Sequence, residues 1–377
     1  MEAAEMDTMS WSWSEYFPSP NYFRLFRMVL EELPEYYRTL PSNGTLDELT
    51  KYSYVTWSEI QFGVLMAVIW TIVRTLLTIL IFKPAGRYLE LTKSNQAKMP
   101  ESAWRFTFYL TSWSCVAYVL LWNHADILRD PPKSFIGWSA DMEIPWDIRM
   151  CYLIQGSYYL HGLVTVLVLD VWRSDSMVLC MHHVLTLVLI TLSYACRYHF
   201  IGLMVVFYHD FNDIFLEFSK CHIYLKDRGN KKYMIHEYFA NAGFAVFTVS
   251  WCIMRMYLYP LKVLYNVLPS TAKTYYKGHL PFGIECNSMM WLLMFLDIYW
   301  FVYIVIFLYK IFTKELSEFE DIREENEHID ADGNVKEEKE KNGTKHAAGD
   351  ALANGVTTDT AAINGNGLKK RHPVPSS

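Results

Sequence analysis

Residues Ser176–Cys196 read SMVLCMHHVLTLVLITLSYAC, and residues Ile201–Leu225 read IGLMVVFYHDFNDIFLEFSKCHIYL. A helix needs about 20 mostly apolar residues to cross the roughly 30 Å of bilayer hydrocarbon, and both stretches are long enough. Further blocks of the same kind flank them, at about Ile60–Phe82, Trp104–Trp122, Ile148–Val171, Tyr238–Tyr259 and Ser288–Tyr309. A soluble domain has no reason to gather its apolar residues into runs this long. The expected fold class is therefore all-α, a polytopic membrane helix bundle of about seven transmembrane helices. Trp57, Trp104, Trp122, Trp146, Trp172 and Tyr259 stand at or near block ends, where amphipathic rings favour the membrane–water interface.

Outside the blocks the chain is organised by charge. Its 377 residues are 52% hydrophobic and 16% aromatic with a net charge of −6, and the segment from Thr313 onward holds most of the imbalance. The loops after the first and fifth blocks carry Lys83, Arg87, Lys93 and Lys98, then Lys226, Arg228, Lys231 and Lys232. The loop Asn123–Asp147 carries only Arg129 and Lys133, while Lys262, Lys273 and Lys277 make the sixth loop a mild exception. Basic loops stay on the cytosolic side, so the N-terminus is expected to be lumenal and the C-terminus cytosolic. The sequon Asn43-Gly44-Thr45 is then an available glycosylation site and Asn342-Gly343-Thr344 is not. The organisation read from this is a lumenal segment over 1–57, a first transmembrane helix over 58–82, a catalytic membrane domain over 98–312 and a cytosolic tail over 313–377. Thr313–Lys341 is charged enough to prolong the last helix, whereas Ala347–Ser377 has the composition of a disordered segment. The seven cysteines lack CxxC spacing, so they read as small apolar residues rather than as a disulfide or zinc framework. No nucleotide-binding loop is present, and nothing calls for nucleic acid.

The informative residues are ionisable groups inside the spans, which cost about 2.5–3.5 kcal/mol each at a helix centre and persist only with a partner or a role. His182 and His183 lie in the fourth block; His209, Asp210, Asp213, Glu217 and Lys220 lie in the fifth. Asp210, Asp213 and Glu217 fall on one helical stripe by their spacings of three and four. The third block adds Gln155, Ser157, His161 and Asp170. At 1.5 Å per residue, His182, Asp213 and His161 come to similar depths, which predicts one cavity open toward the cytosol. His182, His183, Asp210 and Asp213 are the candidate catalytic residues, with His161, Ser157, Asn212 and Glu217 as candidate substrate contacts. Glu217, Lys220 and Asp170 also admit a structural or interfacial reading. Arg74, Arg255 and Asp297 read as snorkelling or helix-pairing charges, and the rival to catalysis for the two aspartates is a salt bridge to Arg197 or Lys220.

The run from Met181-His182-His183 through Tyr194-Ala195-Cys196-Arg197-Tyr198-His199 to His209-Asp210-Phe211-Asn212-Asp213-Ile214-Phe215-Leu216-Glu217 resembles the signature segment of ceramide synthases, which are TLC-domain membrane proteins. Lys98-Met99-Pro100-Glu101-Ser102-Ala103-Trp104 and Asp130-Pro131-Pro132 add to the resemblance, which covers roughly residues 83–325. Most animal members carry a homeobox-like insert after the first span. About twenty residues separate the first two blocks here, so the chain looks most like the animal type without it, which prefers stearoyl-CoA. The resemblance implies an endoplasmic reticulum membrane enzyme with fatty acyl-CoA as co-substrate, a sphingoid base as acceptor, and a homo- or heterodimer with other ceramide synthases. It also implies that His182, His183, Asp210 and Asp213 form the active site, and that acyl-length selectivity resides in the loop over about Pro260–Asn287. Family members often bear serines in an acidic tail stretch, but Phe319–Glu324 contains none.

The chemistry expected of such a site is acyl transfer to an amine that is mostly protonated at neutral pH. One histidine would serve as base or as a transient acyl acceptor. A carboxylate at hydrogen-bond distance would orient it, and no metal or other cofactor is required. Three other functions fit the span pattern less well. A TLC-domain lipid sensor or carrier would not need the histidine pair with its acidic stripe. A seven-span receptor would carry Asp-Arg-Tyr or Asn-Pro-x-x-Tyr elements. An iron-dependent desaturase needs several histidine boxes to collect its ligands.

Overall fold

The computed structural model describes residues 21–39, 50–170, 175–268, 280–313, 327–329 and 335–337. Asn43, Asn342, Trp172 and most of the tail and N-terminal segment lie outside the described residues. Eight long helices are described: α1 (Tyr22–Thr39), α2 (Trp57–Leu77), α3 (Lys93–Tyr118), α4 (Trp146–Val168), α5 (Ser176–Ala195), α6 (His199–Lys226), α7 (Met234–Ile253) and α8 (Gly283–Phe312). The second begins with a capping box in which Thr56 and Glu59 satisfy each other's backbone N–H groups. It continues through a π-helical turn to Tyr88, and α7 likewise continues as a π-helix over Met254–Leu264.

Among the described residues, five helical spans are long and apolar enough to cross a membrane: Trp57–Tyr88, Trp146–Val168, Ser176–Ala195, Met234–Leu264 and Gly283–Phe312. The two remaining blocks of the sequence fall on α3 and α6, which carry more polar residues and pack extensively against each other. The surface of α2 shows what surrounds the bundle. Val64, Leu65, Val68, Ile72 and Leu76 project from it uncovered. A continuous apolar face of that length is unfavourable in water and favourable against lipid tails.

Between helices, α6 also packs on α7, α4 packs on α2 and α5, and α5 packs on α8. Small residues permit the closest approaches, as is usual for helices in lipid. At Gly202, where α6 meets α4, a Cβ would stand 2.1 Å from Tyr152 Oη and 2.7 Å from Ser193 Oγ. The Tyr152 hydroxyl is fixed there, donating to the His199 carbonyl at 3.0 Å and lying 3.0 Å from Ser193 Oγ.

Trp57, Trp122 and Trp146 are exposed at helix ends, as interfacial rings should be. Trp104 and Tyr259 are not interfacial. Trp104 is buried against Trp70, Tyr158 and His161, and Tyr259 is fully buried with its hydroxyl donating to the Met290 carbonyl. Both were placed at block ends because α3 and the α7 continuation run several residues past the apolar blocks. All seven cysteines are free. Beyond Thr313 the described residues are Glu327–Ile329 and Val335–Glu337, which pair as a short antiparallel ladder; the rest of the charged stretch expected to prolong the last helix lies outside the described residues.

Gly202→Ala should therefore destabilise the protein by about 1–3 kcal/mol through overpacking. Fluorescence-detected thermal unfolding in detergent checks this; an unchanged midpoint would contradict the tight α4–α6 contact.

Candidate active site

The bundle encloses one large cavity of about 190 Å³, with walls drawn from α2 through α8. Its lining includes the charged Arg74, Arg105, Asp170, Asp175 and Lys220. It also includes His161, His182, His183, Asp213 and Arg255, with aromatic walls from Trp104, Tyr158, Trp251 and Trp300. Mixed polar and aromatic lining in a membrane bundle is suited to a ligand with a charged head and an apolar tail.

The two histidines enter from the second turn of α5. His183 is buried, and its ring packs so closely on α4 that a Cβ on Gly162 would lie 3.0 Å from its Cε1. His182 is turned toward Trp300, with ring centroids 5.3 Å apart at 86°. Adjacent residues on a helix diverge by about 100°, yet both rings remain in the cavity wall, 5.8 Å apart between centroids. Tyr159 lies against both, at 6.2 and 5.6 Å. Each histidine has its Nδ1 buried without a hydrogen-bond partner, which leaves Nε2 as the nitrogen each can offer to a ligand.

Among the described residues no carboxylate meets Nδ1 of His182 or His183, where an orienting acid is expected. Asp210 is fully buried outside the cavity wall; it accepts from Gln155 Nε2 at 2.7 Å and from Tyr159 Oη at 3.3 Å. Its link to the histidines is indirect, through the Tyr159 ring. Asp213 does line the cavity, but it is paired with Arg255 at 3.1 Å rather than with Arg197, Lys220 or an imidazole. The helical stripe that places the two acids on one face is broad enough for them to meet different neighbours.

Of the candidate substrate contacts, His161 and Glu217 line the cavity. His161 Nδ1 is 2.9 Å from Thr71 Oγ1, and Glu217 stands 4.0 Å from Arg105 with one carboxylate oxygen unpartnered. Ser157 and Asn212 do not line it. Ser157 accepts from Trp70 Nε1 at 3.0 Å, which ties α4 to α2; Asn212 is fully buried, accepting from Ser250 Oγ at 2.6 Å and donating to the Tyr208 carbonyl at 3.3 Å. Both hydroxyl and amide serve helix contacts, a role their polarity alone does not distinguish from ligand binding. Asp170 and Arg74 pair across α2 and the end of α4, and Arg105 bridges Asp170 at 2.9 Å and Glu101 at 2.8 Å.

Arg255 and Asp297, for which the sequence allows snorkelling or helix pairing, pair between helices, and a charge inside a span marks a site by default. Tyr159 carries no such signal among so many tyrosines.

Residues 98–306 match the TLC domain family. The chain is 41% identical over 276 residues to ceramide synthase 1 of Homo sapiens and equally to that of Mus musculus, covering 73% of this chain and 78% of each relative. The chain belongs to the ceramide synthase family. A more distant family member, ceramide synthase LOH2 of Arabidopsis thaliana, is 28% identical over 244 residues, covering 63% of this chain and 78% of that one.

The two acids of this ceramide synthase family member should respond differently to truncation. Asp210→Ala leaves the Tyr159 hydroxyl buried without its acceptor and takes from Gln155 Nε2 one of its two, Ser112 Oγ remaining, at a cost of about 1–3 kcal/mol. Asp213→Ala opens onto the cavity and leaves Arg255 its other contacts. Thermal unfolding of the two purified variants should show the larger loss for Asp210→Ala; equal losses would contradict the assignment.

Proposed function

We propose that the protein transfers a long-chain fatty acyl group, stearoyl by its likeness to the insert-free animal type, from acyl-CoA to the amine of sphinganine or sphingosine. The observation that carries this reading is that His182, His183 and Asp213 open into one cavity whose wall is otherwise largely aromatic and apolar. Such a cavity presents imidazole and carboxylate to the reacting heads of donor and acceptor, beside apolar and aromatic side chains that their chains can meet.

In the direct route, the amine nitrogen attacks the thioester carbonyl carbon as Nε2 of one histidine takes the amine proton. The C–N bond forms, the C–S bond breaks, and CoA leaves as thiol after regaining that proton. In the two-step route, Nε2 attacks the thioester carbonyl carbon and the C–S bond breaks, giving an acyl-imidazolium and CoA thiolate; the free amine then attacks the acyl carbon, the bond to Nε2 breaks, and the proton the amine sheds goes to the thiolate. The absence of a carboxylate on either Nδ1 distinguishes both routes from a serine-protease triad. Asp213 then has a different task, as acceptor of the incoming ammonium or its neighbouring hydroxyl. Asp210 acts at one remove, holding Tyr159 against both rings. Acyl-CoA is the co-substrate, and no further cofactor or metal takes part.

The protein is read as residing in the endoplasmic reticulum membrane, with its N-terminus lumenal and its C-terminus cytosolic, and as associating with itself or with related synthases. Support for the orientation comes from the basic loops at Lys83–Lys98 and Lys226–Lys232, which would draw the polyanionic CoA to the cavity mouth. The KM for acyl-CoA should then rise severalfold between low and physiological salt. Asn43→Gln should abolish a glycosidase-sensitive shift in mobility. A KM indifferent to salt, or an Asn43 that is never glycosylated, would count against this orientation.

The deciding experiment uses microsomes from cells without endogenous synthases, labelled sphinganine and a panel of acyl-CoAs. N-acylated product is expected from the wild type and not from His182→Ala/His183→Ala at equal expression. No product from the wild type with any donor would favour a lipid sensor or carrier.

A further inference from the structure

Only one acid of the His209-Asp210-Phe211-Asn212-Asp213 segment reaches the cavity, and the structure behind it is unusually elaborate. Arg255 opens the π-helical stretch that continues α7, a backbone form that recurs at functional positions. Its guanidinium is buried, and Nη2 donates to both carboxylate oxygens of Asp213 at 3.1 Å and to the His209 carbonyl at 2.8 Å. Nη1 donates to Asp297 Oδ1 at 3.4 Å, and the guanidinium lies 4.1 Å over the Trp251 ring. Asp297, fully buried on α8, meets His209 Nε2 with its other oxygen at 3.0 Å, and His209 Nδ1 lies 2.7 Å from the Val205 carbonyl.

Arg255 is thus held by α6, α7 and α8 through contacts that do not involve Asp213. Asp213, by contrast, faces the cavity and has both oxygens on Arg255. An aspartate without that partner could turn toward Arg105 or an imidazole, because its own side chain has two free torsions. A lysine could not reproduce the hold. Its single ammonium is a point donor, whereas the planar guanidinium reaches two carboxylates, a carbonyl and a ring face at once.

We infer that Arg255, fixed by Asp297 and the Trp251 ring, is the positioning residue that aims Asp213 at the amine of the sphingoid acceptor. The inference rests on the acyltransferase reading above, in which Asp213 receives the ammonium. Arg255 acts through Asp213 and takes no part in bond making. His209 is assigned the same supporting chain, so the segment divides its labour: His209 supports the arginine, Asp210 supports Tyr159, and Asp213 meets the ligand.

The test is a double-mutant cycle on the full-length protein in microsomes, with Arg255→Lys, Asp213→Asn and the pair combined, and with Asp297→Asn as a second way to loosen the arginine. N-acylation is measured as a function of sphinganine and, separately, of acyl-CoA. Arg255→Lys and Asp297→Asn should each raise the KM for sphinganine about tenfold while leaving the KM for acyl-CoA unchanged. Adding Arg255→Lys to Asp213→Asn should cost less than about twofold more, because the two residues act as one unit. Losses that multiply in the double variant, or a fall in kcat with both KM values untouched, would overturn the inference and leave Arg255 a packing residue. Should Arg255→Lys fail to accumulate as folded protein, Asp297→Asn with Asp213→Asn completes the same cycle. Absence of product from the wild type itself would overturn the acyltransferase reading instead, so the two failures are distinct.

Discussion

A charge placed among lipid-facing helices must find its counter-charge inside the protein, because the bilayer core offers no water to solvate it. This constraint organises the protein. Arg255 lies between Asp213 and Asp297, and Arg105 between Asp170 and Glu101. Each cluster reaches beyond a single helix, and within it an arginine is held by several partners at once rather than by one acid. The apolar faces supply the contact with lipid, while these polar clusters decide which helices are neighbours and in what register.

The same pairing creates the cavity. With the acids committed to arginines and amides along the walls, the two imidazoles are left facing open space with no carboxylate at Nδ1. A histidine so placed is free to move a proton or accept an acyl group, and the surrounding aromatic wall keeps water scarce around it. Helix α2 also contributes, although it precedes the matched TLC domain. It supplies Arg74 to the cavity lining, Thr71 to His161 and Trp70 to Ser157. The site is therefore a property of the whole bundle rather than of the signature segment alone.

The helical fold was legible because apolar run length is a direct consequence of bilayer thickness, and the site's approximate place was legible because intramembrane charges are rare. Depth along a helix follows from a fixed rise per residue, so the convergence of His161, His182 and Asp213 could be anticipated. What depth does not carry is azimuth. Asp210 and Asp213 differ by three residues, enough to send one behind the wall and the other into the cavity. Ser157 and Asn212 share the chemistry of ligand-binding groups, but they spend it on Trp70, Ser250 and the Tyr208 carbonyl. Trp104 and Tyr259 were misplaced at the interface because α3 and the α7 continuation outrun their apolar stretches. Arg255 left both snorkelling and helix pairing open, since a long side chain near a span end has two ways to satisfy its charge, and it takes the second.

The central claim is that the cavity bearing His182 and His183 is where the acyl group is transferred. The most direct measurement is a structure of the protein purified with a non-hydrolysable acyl-CoA analogue. The account predicts density for the analogue in this cavity, with the thioester-equivalent carbonyl within contact distance of an imidazole Nε2. An analogue bound elsewhere on the bundle, with both imidazoles clear of it, would contradict the account.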